Sequence, residues 1–181
     1  VDDGTGPGAW YLKSCVDATG NTWATPAWIA QAVDPVALAQ QALDYTSIPA
    51  PQLALNPAAD RIQLVNLPVW LAVTGDGWKP TSASASAGGV TVTTTATPTQ
   101  VLWNMGDGNS VTCNGPGAAY DPNLADTAQH SDCTYTYRTS SAGQPNNSFA
   151  ITATEQYRVT WTATGLPAGT PAAGDRGTIT R

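Results

Sequence analysis

Apolar and polar residues follow three rhythms along this chain, and each predicts a different kind of segment. Over residues 34–45 the apolar positions Val36, Leu38, Ala39, Ala42 and Leu43 recur at helical spacing, with Asp34 placed to cap the first turn and Pro35 suited to open it. This predicts one short helix at about 35–45, ended by Pro49 and Pro51. From residue 90 the period falls to two. Val90-Thr91-Val92-Thr93 alternates, residues 101–105 form an apolar strand, and Gly106-Asp107-Gly108-Asn109 is a hairpin-type turn into a strand over 110–113. Cys133-Thr134-Tyr135-Thr136-Tyr137 alternates again. Between 148 and 163, Phe149, Ile151 and Ala153, then Tyr157, Val159 and Trp161, keep one parity, enough for one bent strand or two successive ones. Residues 165–174 are loop-like, and a strand is expected to begin near 178 and run past the end of the sequence.

The third rhythm is short and broken. Residues 1–30 carry Trp10, Tyr11, Leu12, Trp23 and Trp28 between turn formers, which suits an extended, packed segment better than a helix. Leu53-Ala54-Leu55, Ile62-Gln63-Leu64-Val65 and Leu67-Pro68-Val69-Trp70-Leu71 read as strands or extended segments interrupted by Asn56-Pro57 and Pro68. Gly75-Asp76-Gly77 is a turn. The Ser/Ala stretch 81–87, ending in Gly88-Gly89, is either a linker or an edge strand of small residues. A boundary is expected there. Residues 1–87 form an N-terminal segment with the helix and short strands, and residues 88–181 form an antiparallel β-sandwich, so the fold class is mainly β.

Only 11% of residues are charged, against roughly 25% in an average soluble protein, so the surface is hydroxyl-rich. A net charge of −6 and the lack of any basic run argue against nucleic acid as a partner. No apolar run reaches the roughly 20 residues of a membrane span, and Val1-Asp2-Asp3-Gly4 is not a signal peptide, so a mature or trimmed chain that does not span a membrane is expected. Cys113 and Cys133 flank a Gly, Pro and Asn-rich stretch as a disulfide staple would, which points to an oxidising, extracellular or cell-surface location. Cys15 is left over, as a buried thiol or as the partner of a cysteine elsewhere.

Trp103-Asn104-Met105-Gly106-Asp107-Gly108 resembles the Trp-Asp-Phe-Gly-Asp-Gly signature of polycystic-kidney-disease (PKD) domains, an immunoglobulin-like sandwich, and Thr134-Tyr135-Thr136-Tyr137 fits the Tyr strand that follows in that family. The likeness covers roughly the last half of the chain. It implies that Trp103 packs between sheets and that Gly106-Asp107-Gly108 makes the next turn. Asn104 and Met105 stand where the family has Asp and Phe, and the loop over 114–132 is longer than its pattern, so no ligand is inherited. The whole chain is also similar to exported proteins of high-GC actinobacteria in which a helix-containing part precedes such a module, which supports the compartment and implies no activity.

Catalytic chemistry has little to work with. The single histidine, His130, lies beside Ser131 and Asp132, but a contiguous Ser-His-Asp run is not a triad signature and no Gly-x-Ser-x-Gly is present. Twelve of the thirteen acids are Asp, with Glu155 the one exception. Asp17, Asp76, Asp107, Asp121 and Asp175 sit in turn contexts, where such side chains usually bond their own backbone. A glycosidase carboxylate pair is the rival for these acids. Oxygen ligands for a structural Ca²⁺ could come from Asp107 and Asn109, or from Asp121, Asn123 and Asp126; zinc lacks ligand spacing. Trp103 and Trp161 sit in strand patterns and are expected in the core, whereas Trp23, Trp28 and Trp78 are the candidate ligand contacts. The expected function is a non-catalytic binding or structural module for a protein partner or cell-envelope component, without a cofactor. Carbohydrate binding through exposed Trp residues is the alternative, and a hydrolase the second.

Overall fold

The computed structural model of the chain describes residues 8–16, 20–30 and 33–181. Strands account for 44% and helical residues for 12%, and the sheets are antiparallel, so the fold is mainly β, with one α-helix among the described residues. The residues separate into two compact units, each drawn from discontinuous stretches.

The first unit comprises the described residues up to Tyr45, with 83–94 and 161–174. Its first element is a two-stranded ribbon, β1 (Gly8–Val16) with β2 (Thr22–Ala30), in register from Gly8↔Ala30 to Val16↔Thr22. This is the extended segment the early tryptophans predict. Helix α1 (Pro35–Asp44) starts where the sequence places it, and the Asp34 carboxylate accepts the Val36 amide at 2.8 Å. Leu38, Ala39 and Ala42 are buried, whereas Val36 stands exposed, so the apolar stripe is narrower than its spacing suggests. The helix packs into a core with Ala85, Val90, Val92, Trp161 and Ala163, and the buried Thr94 hydroxyl donates to the Ala39 carbonyl at 2.9 Å.

The Ser/Ala stretch is an edge strand, β5 (Thr81–Ala87), hydrogen-bonded to β6 (Val90–Asn104). Gly88 and Gly89, at φ 53° and 80°, turn the chain between them in two residues, a conformation that β-carbon sterics deny most residues. The expected boundary near residue 87 thus falls in a tight hairpin. The two strands expected at 90–93 and 101–105 are one strand of 15 residues. Its even positions are buried from Val90 to Pro98 and its odd positions from Val101, a phase shift of one residue. Thr and Ala fill the intervening inward sites, too small to register as apolar.

The second unit comprises residues 46–82, 95–160 and 175–181. Strands β3 (Gln52–Asn56), β4 (Pro68–Thr74) and β8 (Thr134–Thr136) form one sheet in the order β3-β4-β8. A second sheet runs β10 (Ala173–Thr180), β9 (Thr152–Thr164), β6, β5, with β7 (Ser110–Cys113) also paired to β6. Val69, Leu71 and Val73 from the first sheet meet Val101, Trp103 and Cys113 from the second, with Met105 just after β6, in a single core. The two sheets therefore sandwich it, as the alternation predicts.

Three expectations need correction. Residues 62–65 form no strand: Asn66 at φ 64° and Pro68 stop any extended pairing, and the apolar side chains of that run point outward. The β-rich stretch after 148 is one strand that begins only at Thr152. The last strand starts at Ala173, earlier than 178, because its pairing with β9 recruits polar residues that carry no apolar signal.

Candidate functional site

The hairpin between β6 and β7 is tied to the core by its own polar atoms. The Asn104 side chain accepts the Gly106 amide and Asp107 accepts the Asn109 amide, each at 3.0 Å, and the Met105 amide donates to the Asn109 carbonyl at 3.0 Å. A β-carbon on Gly106 would stand 2.6 Å from the Ala150 carbonyl oxygen, so only glycine fits there. The Tyr135 hydroxyl donates to Asp107 at 2.6 Å, and the buried Tyr137 hydroxyl donates to the Met105 carbonyl at 2.9 Å. Desolvation opposes ionisation of Asp107, but the bonds from Tyr135 and Asn109 outweigh it and hold its carboxyl below the usual carboxylate range. The same bond to Asp107, with burial, raises Tyr135, while burial pushes Tyr137 up to about 12. Cys113 and Cys133 are joined as a disulfide, Cα to Cα 5.5 Å, beneath this end.

The loop acids are likewise engaged. Asp121 accepts both the amide and the side-chain nitrogen of Asn123 at 2.9 Å, and Asp126 accepts the Tyr120 hydroxyl at 2.8 Å. Among the described residues no three His, Cys, Asp or Glu side chains gather as metal ligands. His130 and Asp132 pair at 2.6 Å on the surface. Ser131 turns instead to main chain, accepting the Cys133 amide at 3.3 Å, so the contiguous Ser-His-Asp run does not assemble a nucleophile with a base.

Glu155 is fully buried, with one oxygen accepting the Tyr157 hydroxyl and the other without a partner. Burial raises its pKa, against the lowering effect of the Tyr157 bond. Tyr157, raised by burial and by Glu155, also lies 3.3 Å from the Gly77 carbonyl. The carboxyl belongs to the packed interior and faces no solvent. Its position was legible: Glu155 falls on the inward parity shared by Tyr157, Val159 and Trp161.

Of the tryptophan candidates, Trp78 is half-buried against the sandwich core. Trp28 is partly buried and meets Trp10 edge to face, ring centroids 5.6 Å apart, with Trp10 itself exposed. The main chain of Trp23 pairs with that of Cys15, and the side chains of both lie outside the described residues. Trp103 and Trp161 are core residues, as expected.

The feature that pattern reading missed lies beside β3. A groove of about 860 Å³ runs between β3, the loop over 58–65 and the segment over 137–151, all in the second unit. Leu53, Leu55, Ile62, Val65, Phe149 and Ile151 supply its apolar lining, and Phe149 stacks on Tyr137 at 5.1 Å. Ile62 is 89% exposed and Leu64 62% exposed on the same loop. The rim carries amides and hydroxyls, and its only opposite charges, Asp60 and Arg61, stand 3.9 Å from one another. A size of this order and an apolar lining with a polar rim suit a bound molecule. The signal is the apolar run Ile62-Gln63-Leu64-Val65, which suits a strand or an extended segment equally and does not by itself tell a buried face from an exposed one.

No helix among the described residues is long and apolar enough to cross a membrane. Comparison with protein-family models, curated proteins and solved structures returns no match.

Proposed function

We propose that this chain is an extracellular or cell-surface, non-catalytic module, a PKD-like sandwich that binds a protein partner through the groove beside β3. One observation carries the reading: a groove with an apolar lining, bordered by a loop on which Ile62, Leu64 and Val65 are exposed. Soluble proteins seldom leave so many large aliphatic residues uncovered on one short loop, since each costs hydration that a partner would relieve. The disulfide supports an oxidising compartment. Asp107, Asp121 and Asp126 are engaged in local bonds and Glu155 is buried, which disfavours these four acids as a hydrolytic pair.

Photo-crosslinking tests the site. A benzophenone side chain placed at Ile62 is expected to give light-dependent adducts with proteins of the native envelope or medium, while the same group at Asn109 gives none. Equal labelling from both positions, or none from position 62, rejects the groove as the binding surface. Carbohydrate binding keeps one observation in its favour, the exposed Trp10 ring against Trp28. Glycan retention lost on Trp10→Ala, with the crosslink at 62 absent, would move the function there.

A further inference from the structure

Resting on the binding reading above, we propose that the occupant of the groove is an extended, uncharged peptide strand of a partner protein, added to the free edge of β3. The Leu71 and Val73 amides donate to the Cys133 and Pro116 carbonyls, at 2.9 and 2.7 Å, so these two residues of β4 turn their main-chain groups away from β3. Their register partners on β3 are Leu55 and Leu53. In an antiparallel ladder an opposed pair exchanges both hydrogen bonds or neither. Gln52, Ala54 and Asn56 are therefore the residues bonded to β4, and Leu53 and Leu55 direct their N–H and C=O groups to the open side.

β3 is the end strand of its sheet, and among the described residues no hydrogen bond reaches those four groups. The same two leucines line the groove. Two donors and two acceptors, repeating at about 6.8 Å along the strand, match the main chain of a paired peptide. Free edges are usually blunted by charge or by cover. Here the strand Gln-Leu-Ala-Leu-Asn carries no charge, and Pro51 and Pro57 bracket it, which limits pairing to a short segment. Charge complementarity selects the peptide: Asp60 and Arg61 offset one another and the remaining polar rim is amide and hydroxyl, so a charged strand would lose hydration without gaining a counter-charge.

The probe is a blocked hexapeptide of alternating threonine and valine, titrated against the whole chain by fluorescence anisotropy and amide hydrogen exchange. Binding is expected to slow exchange at Leu53 and Leu55 and to leave Ala54 unchanged. N-methylation of alternate peptide bonds should weaken binding by about tenfold or more. Leu53→Pro should weaken it equally while the protein stays folded, because the lost N–H faces away from β4; Leu53→Val should retain it. No binding at millimolar hexapeptide, or binding indifferent to N-methylation and to Leu53→Pro, overturns strand pairing. Such a result leaves a crosslink at position 62 intact, whereas loss of that crosslink removes the binding reading itself.

Discussion

Two regions of the sandwich unit, the β6–β7 hairpin and the groove beside β3, treat their polar and apolar groups in opposite ways although Tyr137 belongs to both. At the β6–β7 hairpin, Asn104, Asp107, Tyr135 and Tyr137 spend their polar atoms on one another and on main chain, and Trp103, Met105 and the disulfide are buried below. Beside β3, large aliphatic side chains stand in solvent and two residues leave their main chain unpaired. A region whose polar groups are satisfied gains little from a partner, whereas uncovered apolar side chains and open main-chain groups favour cover. The Gly-Asp-Gly motif thus holds the fold, and the proposed binding surface is the groove beside β3, which meets the hairpin at Tyr137.

If that contrast is right, damage at the hairpin end should appear as lost stability and damage at the groove as lost binding. Trp103→Ala, which empties the centre of the core, is expected to cost about 3 to 5 kcal/mol in denaturant unfolding. Replacing both Cys113 and Cys133 by serine opens a 20-residue span and should cost about 3 kcal/mol. Tyr135→Phe removes one partly exposed bond to Asp107 and should cost about 1 kcal/mol. Ile62→Ser should change stability by no more than about 0.5 kcal/mol. A large loss from Ile62→Ser, or none from Trp103→Ala, would erase the contrast.

The two acids sharpen it by pH. The carboxyl of Asp107 is lowered in the folded chain, so its contribution is present above the usual carboxylate range and is lost as pH falls through the depressed folded value. The carboxyl of Glu155 is raised, so between its unfolded and folded values the native state holds a proton that the unfolded chain has released, and stability falls as pH rises through that window. Glu155→Gln should flatten that fall in urea unfolding across acidic to neutral pH. An unchanged pH profile would mean that Glu155 ionises as freely as it does in the unfolded chain.

Much of this is legible in the sequence. The helix, the hairpin turn, the staple and the inward parity of the β9 strand follow from spacing, because capping, turn chemistry and alternation act locally. What was not readable depends on partners distant in sequence. Residues 94–100 bury only Thr94, Ala96 and Pro98, which carry no large apolar side chain to mark a strand, and they hold their place in β6 beside neighbouring strands. The 62–65 run alternates like a strand yet has nothing to pair with once Asn66 takes positive φ. Trp78 looked free beside Gly77, but it packs on a core whose members lie far along the chain.

Residue-resolved amide exchange of the free protein tests the open edge most directly. Leu53 and Leu55 are expected to exchange at rates close to those of unstructured chain, while Ala54, Leu71 and Val73 between and opposite them exchange only with global unfolding. Leu53 and Leu55 protected as strongly as Ala54 would show that the edge is already covered, and would contradict the account.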